Sequence, residues 1–187
     1  MARKKEYIEH EVIDKAMSLF WRNGYETTSM SMLEKEMGIN KFSIYASFGS
    51  KDGVFLESIK LYRTKLQVLL DKLAASEDGV AGIRTYFYDF LEFSKDSNCG
   101  KGCLVSNTAN EFGPDVDAVL KAELSKFTEE VRQLFADTLA QDETKDLAKV
   151  EEQADYLIIS MLGLANASRL FTPVQLDHYI ANIFSGI

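Results

Sequence analysis

Residues 27–51 read Thr27-Thr28-Ser29-Met30-Ser31-Met32-Leu33-Glu34-Lys35-Glu36-Met37-Gly38-Ile39-Asn40-Lys41-Phe42-Ser43-Ile44-Tyr45-Ala46-Ser47-Phe48-Gly49-Ser50-Lys51, two short helix patterns hinged at Gly38. Thr28 or Ser29 caps the first, because a side-chain oxygen there accepts from backbone N–H groups that lack a partner at a helix start. Met30, Leu33 and Met37 then share one face. Gly38 permits the bend, and Asn40 caps a second helix whose Ile44 and Phe48 point inward. Lys41, Phe42, Ser43, Tyr45 and Ser47 are left to face outward. This is a helix-turn-helix pattern, in which the second helix enters the major groove of DNA and the first crosses the backbone.

The segment before it supplies a brace. Ile8, Val12, Ala16 and Phe20 recur every four residues with Ile13, Met17 and Trp21 beside them, and the stripe stops at Asn23-Gly24. Taken together, the Leu19-Phe20 pair before Gly24-Tyr25, the Thr28-Ser29 start, Gly38-Ile39 and Tyr45-x-x-Phe48-x-Ser50-Lys51 resemble the N-terminal domain of tetracycline-repressor-type (TetR family) transcription regulators. The resemblance covers about the first third of the chain. It departs at Ala46 and Ser47, where the family often has larger or aromatic residues. It implies that Tyr45 contacts DNA, its hydroxyl on a phosphate and its ring on a thymine methyl, with Lys41 reaching a phosphate or guanine edge. Phe42 packs on thymine methyls or against the first helix. Thr28, Ser29, Ser31 and Lys51 would clamp the phosphate backbone, since a helix start favours anions, with Ser43 and Ser47 as minor contacts.

Charge is divided unevenly. The whole chain carries −8, but residues 1–51 hold eight Lys/Arg against seven Asp/Glu, net +1, and residues 52–187 carry −9. Phosphate attraction acts over about 8–10 Å at ordinary ionic strength, so the acidic remainder does not cancel it. With a head so weakly basic, affinity must also draw on dimerisation and on the Arg3-Lys4-Lys5 arm.

The remainder reads as helix throughout. Only two prolines occur, and no stretch alternates apolar and polar residues at period two. After Ser50, Phe55, Ile59, Tyr62, Leu66, Leu69 and Leu73 keep a four-three rhythm, one long helix joining head to body. The family resemblance makes it the lever between ligand pocket and DNA-binding head. Gly100, Gly102 and Pro114 bracket a short helix over Cys103–Phe112, and Val116 to Thr138 marks a long one running to about Gln141. Val150 to Ala165 is apolar around most of its circumference. Thr172-Pro173-Val174-Gln175 opens a last helix with a capping box. The expected architecture is all-α, about nine helices: a helix-turn-helix DNA-binding domain at 1–51 and a helical effector-binding and dimerisation domain at 52–187. Surplus apolar surface on the last two helices suggests a two-fold interface using Leu157, Met161, Leu164, Leu176, Tyr179, Ile180 and Ile183, and the resemblance implies an intersubunit four-helix bundle.

The body is rich in aromatic residues, among them Tyr86, Phe87, Tyr88, Phe90, Phe93, Phe112, Phe127 and Tyr156, which form a core or line an apolar cavity of roughly 300–1,000 Å³. The candidate ligand-binding set is Tyr86, Phe90, Phe93, Cys103, Asn107, Phe127, Tyr156 and Ser160, with Asn110 a further polar anchor. Cys99 and Cys103 flank Gly-Lys-Gly. Cys103 at a helix start near Lys101 has a setting that favours the reactive thiolate, and Gly102-Cys103-Leu104 resembles a segment of a TetR branch in which some members sense electrophiles or oxidants. A small buried hydrophobe is the alternative.

Catalysis finds no support. His10 and His178 lie far apart, no Cys/His/carboxylate spacing suits a metal, no glycine-rich phosphate loop occurs, and no Ser–His–acid set is evident; no cofactor is implied. The longest apolar region, Ala154–Phe171, is broken by Asp155, Asn166 and Arg169, and the start of the chain has no secretory core. The expectation is a cytoplasmic homodimer that binds a double-stranded DNA operator and a small-molecule effector, with no membrane partner. Two alternatives stand: a thiol-based sensor acting through Cys103, and a helical interaction module without DNA affinity, suggested by the acidic balance and by Ala46 and Ser47.

Overall fold

The computed structural model describes residues 7–95, 100–111 and 118–187. Arg3, Lys4, Lys5, Cys99, Phe112, Pro114 and Val116 lie outside the described residues. Among those described there are nine helices and no strand, only an isolated bridge between Lys95 and Gly100. They are α1 (Glu9–Asn23), α2 (Met30–Met37), α3 (Lys41–Phe48), α4 (Lys51–Ala74), α5 (Val80–Phe93), α6 (Leu104–Ala109), α7 (Ala118–Leu139), α8 (Leu147–Ala167) and α9 (Pro173–Ile183).

Capping chemistry sets most starts. Ser29, Asn40, Ser50 and Asp146 each accept from the backbone N–H three residues on. Thr172 and Gln175 close a reciprocal box at α9. The choice between Thr28 and Ser29 falls to Ser29, because Thr28 is buried with its hydroxyl donating to the Gly24 carbonyl at 2.6 Å. Gly24, at φ 86°, ends α1 in backbone that side chains rarely adopt.

One continuous apolar cluster runs from α1 to α9. α1 packs along α4, with Phe20 edge-on to Phe55 at 4.9 Å and Trp21 edge-on to Tyr62 at 5.0 Å. Farther down, α7 packs along α8, and Phe87 of α5 meets Phe135 and Phe184. The reading head therefore shares its core with the body through α4. Trp21 adds a polar tie: its indole N–H donates to the Gly102 carbonyl at 3.1 Å, and the Lys101 ammonium sits 4.5 Å from its ring. Trp21→Phe keeps the apolar contact but leaves a buried carbonyl unpaired, which costs about 1–3 kcal/mol. The expected fall in Tm is about 2–4 °C per kcal/mol for a chain of this size, read by thermal unfolding.

The apolar stripes of α8 and α9 point the other way from the sequence expectation. Leu157, Met161, Leu164, Leu176, Ile180 and Ile183 are buried within the subunit's own core and so are unavailable to a partner. A helix stripe shows which residues seek burial, not what covers them. Only Tyr179 of the expected interface set is exposed. Also exposed are Tyr156 and Ile159 of α8, Leu170 and Phe171 of the connecting turn, and Val174 of α9. No described helix is long and apolar enough to cross a membrane.

Candidate nucleic-acid interface and internal cavity

α3 is held by its buried side and presents the other. Ile44 is fully buried beneath it, while Phe42 is 82% and Tyr45 50% exposed. Asn40 Oδ1 accepts from the Ser43 N–H at 2.9 Å, and Glu34 Oε1 accepts from the Lys41 N–H at 3.1 Å, so the first turn of α3 is fastened from both its cap and α2. Two large aromatic side chains standing out from an anchored helix form a contact surface that water alone does not reward.

The polar residues assigned to DNA differ in how free they are. Lys41 Nζ donates to Ser31 Oγ at 2.9 Å, which joins both groups at the α2–α3 junction. Lys51 lies 4.2 Å from the Tyr25 ring and donates to the Glu26 carbonyl. Ser47 pairs with the Tyr7 hydroxyl at 2.5 Å, linking the start of the chain to α3. Ser29 is exposed although its Oγ accepts from the Met32 N–H at 3.2 Å, and Ser43 is half-buried. Thr28 does not reach the surface. Its β-branched side chain braces the α1–α2 turn from inside, a correction to its reading as a backbone clamp.

Within the body, Tyr86, Phe90, Cys103 and Phe127 meet as expected around a narrow apolar void of about 30 Å³, together with Leu66, Met161 and neighbouring residues of α6 to α8. The other four expected ligand residues stand elsewhere. Phe93 packs against Trp21 and Tyr62, at 5.5 and 5.7 Å between ring centres. Tyr156 is on the outer surface. Ser160 lies on the side of α8 facing α9, where its carbonyl accepts from the Tyr179 hydroxyl. Asn107 donates to the Lys101 carbonyl at 2.8 Å, and its buried Oδ1 has no hydrogen-bond partner among the described residues.

Cys103 is buried as the residue before α6. The Tyr62 hydroxyl donates to its Sγ at 3.5 Å, and Lys101 is engaged with Trp21. Burial, then the neighbouring thiol, raises both the Tyr62 and Tyr86 phenols well above the usual tyrosine range. Both stay protonated at any physiological pH, and the cavity wall carries neutral donors. The Tyr86 hydroxyl makes no hydrogen bond with another described residue.

Two ties between body and head carried no local sequence signal. The Glu111 carboxylate, just past α6, accepts from the Glu26 N–H at 2.8 Å and occupies the space a Cβ on Gly24 would need. The second is the Trp21–Gly102 bond. A polar cleft beside the apolar void was also missed, though Lys121, Ser125 and Thr128 recur along one face of α7 at helical spacing.

The sequence pattern of bacterial regulatory proteins of the tetR family matches residues 12–58, which spans α1, α2, α3 and the first turns of α4. Over nearly the whole chain the fold superimposes on a cysteine mutant of the TetR family transcriptional regulator CifR complexed with 26bp double-strand operator DNA. The TM-score is 0.82 at 25% identity, with 97% of this chain and 96% of that one covered. The chain belongs to the TetR family. Similar proteins include the HTH-type transcriptional repressor ComR of Escherichia coli (strain K12) and the HTH-type transcriptional regulator YezE of Bacillus subtilis (strain 168). ComR is 25% identical over 179 residues, covering 89% of this chain and 82% of ComR. YezE is 31% identical over 112 residues, 59% of this chain, and the match spans 58% of YezE's length. A TetR-family crystal structure from Legionella pneumophila shares the fold at a TM-score of 0.84 and 19% identity. In this TetR-family chain the matched pattern ends within α4, so the helix that begins at the head continues into the wall of the cavity at Leu66.

Proposed function

We propose that the chain is a cytoplasmic repressor, not an enzyme, that works as a homodimer on a palindromic operator and is released by a small-molecule effector. Residues 1–51 would read DNA and residues 52–187 would bind the effector and pair the subunits. The observation that carries this reading is the anchored helix α3 with Phe42 and Tyr45 exposed, joined by α4 to a body that contains an apolar void. Tyr86, whose hydroxyl has no hydrogen bond among the described residues, lines the void and would offer a ligand a donor. Pairing would use the outward apolar set, Tyr156, Ile159, Leu170, Phe171, Val174 and Tyr179. Two copies of α3 must sit about 34–36 Å apart to enter successive major grooves on one side of a duplex. An effector acts only through a difference in affinity between the two arrangements of the heads.

The test is selection of bound fragments from the source genome, followed by titration at several salt concentrations. Recovery of a palindrome, with affinity falling steeply as salt rises, supports the reading. A strictly monomeric protein, or equal weak binding to every duplex, ends it. A second reading has a specific observation behind it: Cys103 lines the void with the Tyr62 hydroxyl on its sulfur. If thiol chemistry triggers release, Cys103→Ser abolishes the response to electrophiles and retains operator binding, because Cys103 is buried in the body and forms no part of the exposed face of α3. Undiminished induction by electrophiles in that variant excludes the thiol as trigger.

A further inference from the structure

Beside the apolar void lies a second cleft of about 380 Å³, and the two share Val105, Thr128 and Leu162 in their walls. The chemistry changes across that shared wall. The inner side is almost wholly hydrocarbon and aromatic, whereas the outer cleft is lined by Lys121, Ser125 and Thr128 of α7, Ser106 and Asn110 at α6, and Asn166 of α8. Lys121 is the sole charged side chain among the described residues of that lining.

Among the described residues, neither the Lys121 ammonium nor the carboxamides of Asn110 and Asn166 has a hydrogen bond or ion pair. Two arginines of the body are taken up by carboxylates: Arg63 by Glu123 and Glu130, Arg132 by Glu151 and Asp155. The sign is informative because residues 52–187 carry net −9. The general field of such a body favours cations, yet among its described residues this lining offers no carboxylate to receive one and places an ammonium beside amide donors. Convergent polar groups at the mouth of an apolar recess are what orients a bound small molecule.

We infer that the effector is a small amphipathic anion. Its carboxylate, or an anionic oxygen group of like geometry, is held by Lys121, Asn110 and Asn166 in the outer cleft, and a short apolar tail points past Leu162 into the void between Phe90 and Phe127. The inference rests on the proposed reading of the body as the effector-binding unit. A single water needs about 10–15 Å³ of such space, so a void of about 30 Å³ admits the end of a chain and no more without α7 and α8 parting. Binding energy for the tail is thereby coupled to the spacing of α8 from α7, the latter packed on α4.

The probes are sodium hexanoate, 1-hexanol and hexylammonium chloride, identical in tail and differing in head, titrated by calorimetry into the full chain without DNA. Hexanoate is expected to bind saturably and about two- to fivefold more tightly than the other two, the scale of an ion pair made with an exposed ammonium such as that of Lys121. Lys121→Gln is expected to weaken hexanoate about two- to fivefold and leave hexanol unaffected; the Tm of the unliganded variant reports that it is folded. Equal binding of all three heads, indifference of hexanoate to Lys121→Gln, or no binding by any probe overturns the inference. Operator titration runs as a separate arm. Loss of operator binding with hexanoate binding intact would count against the repressor reading and not against the anion site.

Discussion

Gly53→Ala is expected to remove specific operator binding and to lower stability by about 1–3 kcal/mol, the usual range for forcing extra volume into a packed site. Gly53 lies in the first turn of α4, where its N–H donates to the Ser50 cap at 3.1 Å. A Cβ there would stand 1.8 Å from the Phe48 carbonyl oxygen and 3.0 Å from its carbon. The obstruction is backbone, not the end of a flexible side chain, so α3 and α4 must separate. Phe48 closes α3, and its carbonyl also accepts from the Ser50 N–H at 2.9 Å. Separation therefore disturbs the cap of α4 and tilts the helix that carries Phe42 and Tyr45. Gly49→Ala is the matching control: Gly49 has φ 76° with nothing near its missing Cβ, so alanine there meets backbone strain alone. Strain in left-handed backbone costs about 1–2 kcal/mol without driving the helices apart. Thermal unfolding and operator titration of both variants separate the effects. Operator affinity in Gly53→Ala equal to that in Gly49→Ala would show that the close approach of α3 and α4 does not set the reading geometry.

That close approach illustrates what the sequence withholds. Caps are local, since an N-cap oxygen reaches a donor three residues on, and Ser29, Asn40, Ser50 and Thr172 could be read from spacing. The long rhythm from Phe55 to Leu73 was legible for the same reason. Gly53 offers no such signal, because its neighbour is set by how two helices meet. The site shows the same divide. Tyr86, Phe90, Cys103 and Phe127 were legible as apolar groups on the inner faces of their helices and do converge. Phe93 and Tyr156 have the same chemistry but lie on faces turned to Trp21 and to solvent. On α8, apolar residues cover more than one face, and only the packing shows that Leu157 and Leu164 belong to the subunit's core while Ile159 does not.

Tyr45→Ala is expected to weaken operator binding by about 1–3 kcal/mol, roughly 5- to 150-fold, the range for losing one good base-edge contact. Its Tm should change little, because Tyr45 is half exposed and the core beneath α3 is filled by Ile44. The ring and the hydroxyl make separable contributions. Tyr45→Phe keeps the apolar contact with a thymine methyl and removes one phosphate hydrogen bond, a loss of about 0.5–1.5 kcal/mol. The pattern across duplexes then identifies the contact. A phosphate bond weakens all sequences alike, whereas a ring against a methyl group weakens the cognate site most. Neither change alters charge, so the slope of log affinity against log salt should stay as it is. Lys41→Gln should reduce that slope by about 1 if its ammonium leaves Ser31 for a phosphate. Unchanged operator affinity in Tyr45→Ala would mean that α3 does not lie in the groove with its exposed aromatic face inward, and the assignment of this helix to DNA reading would fall with it.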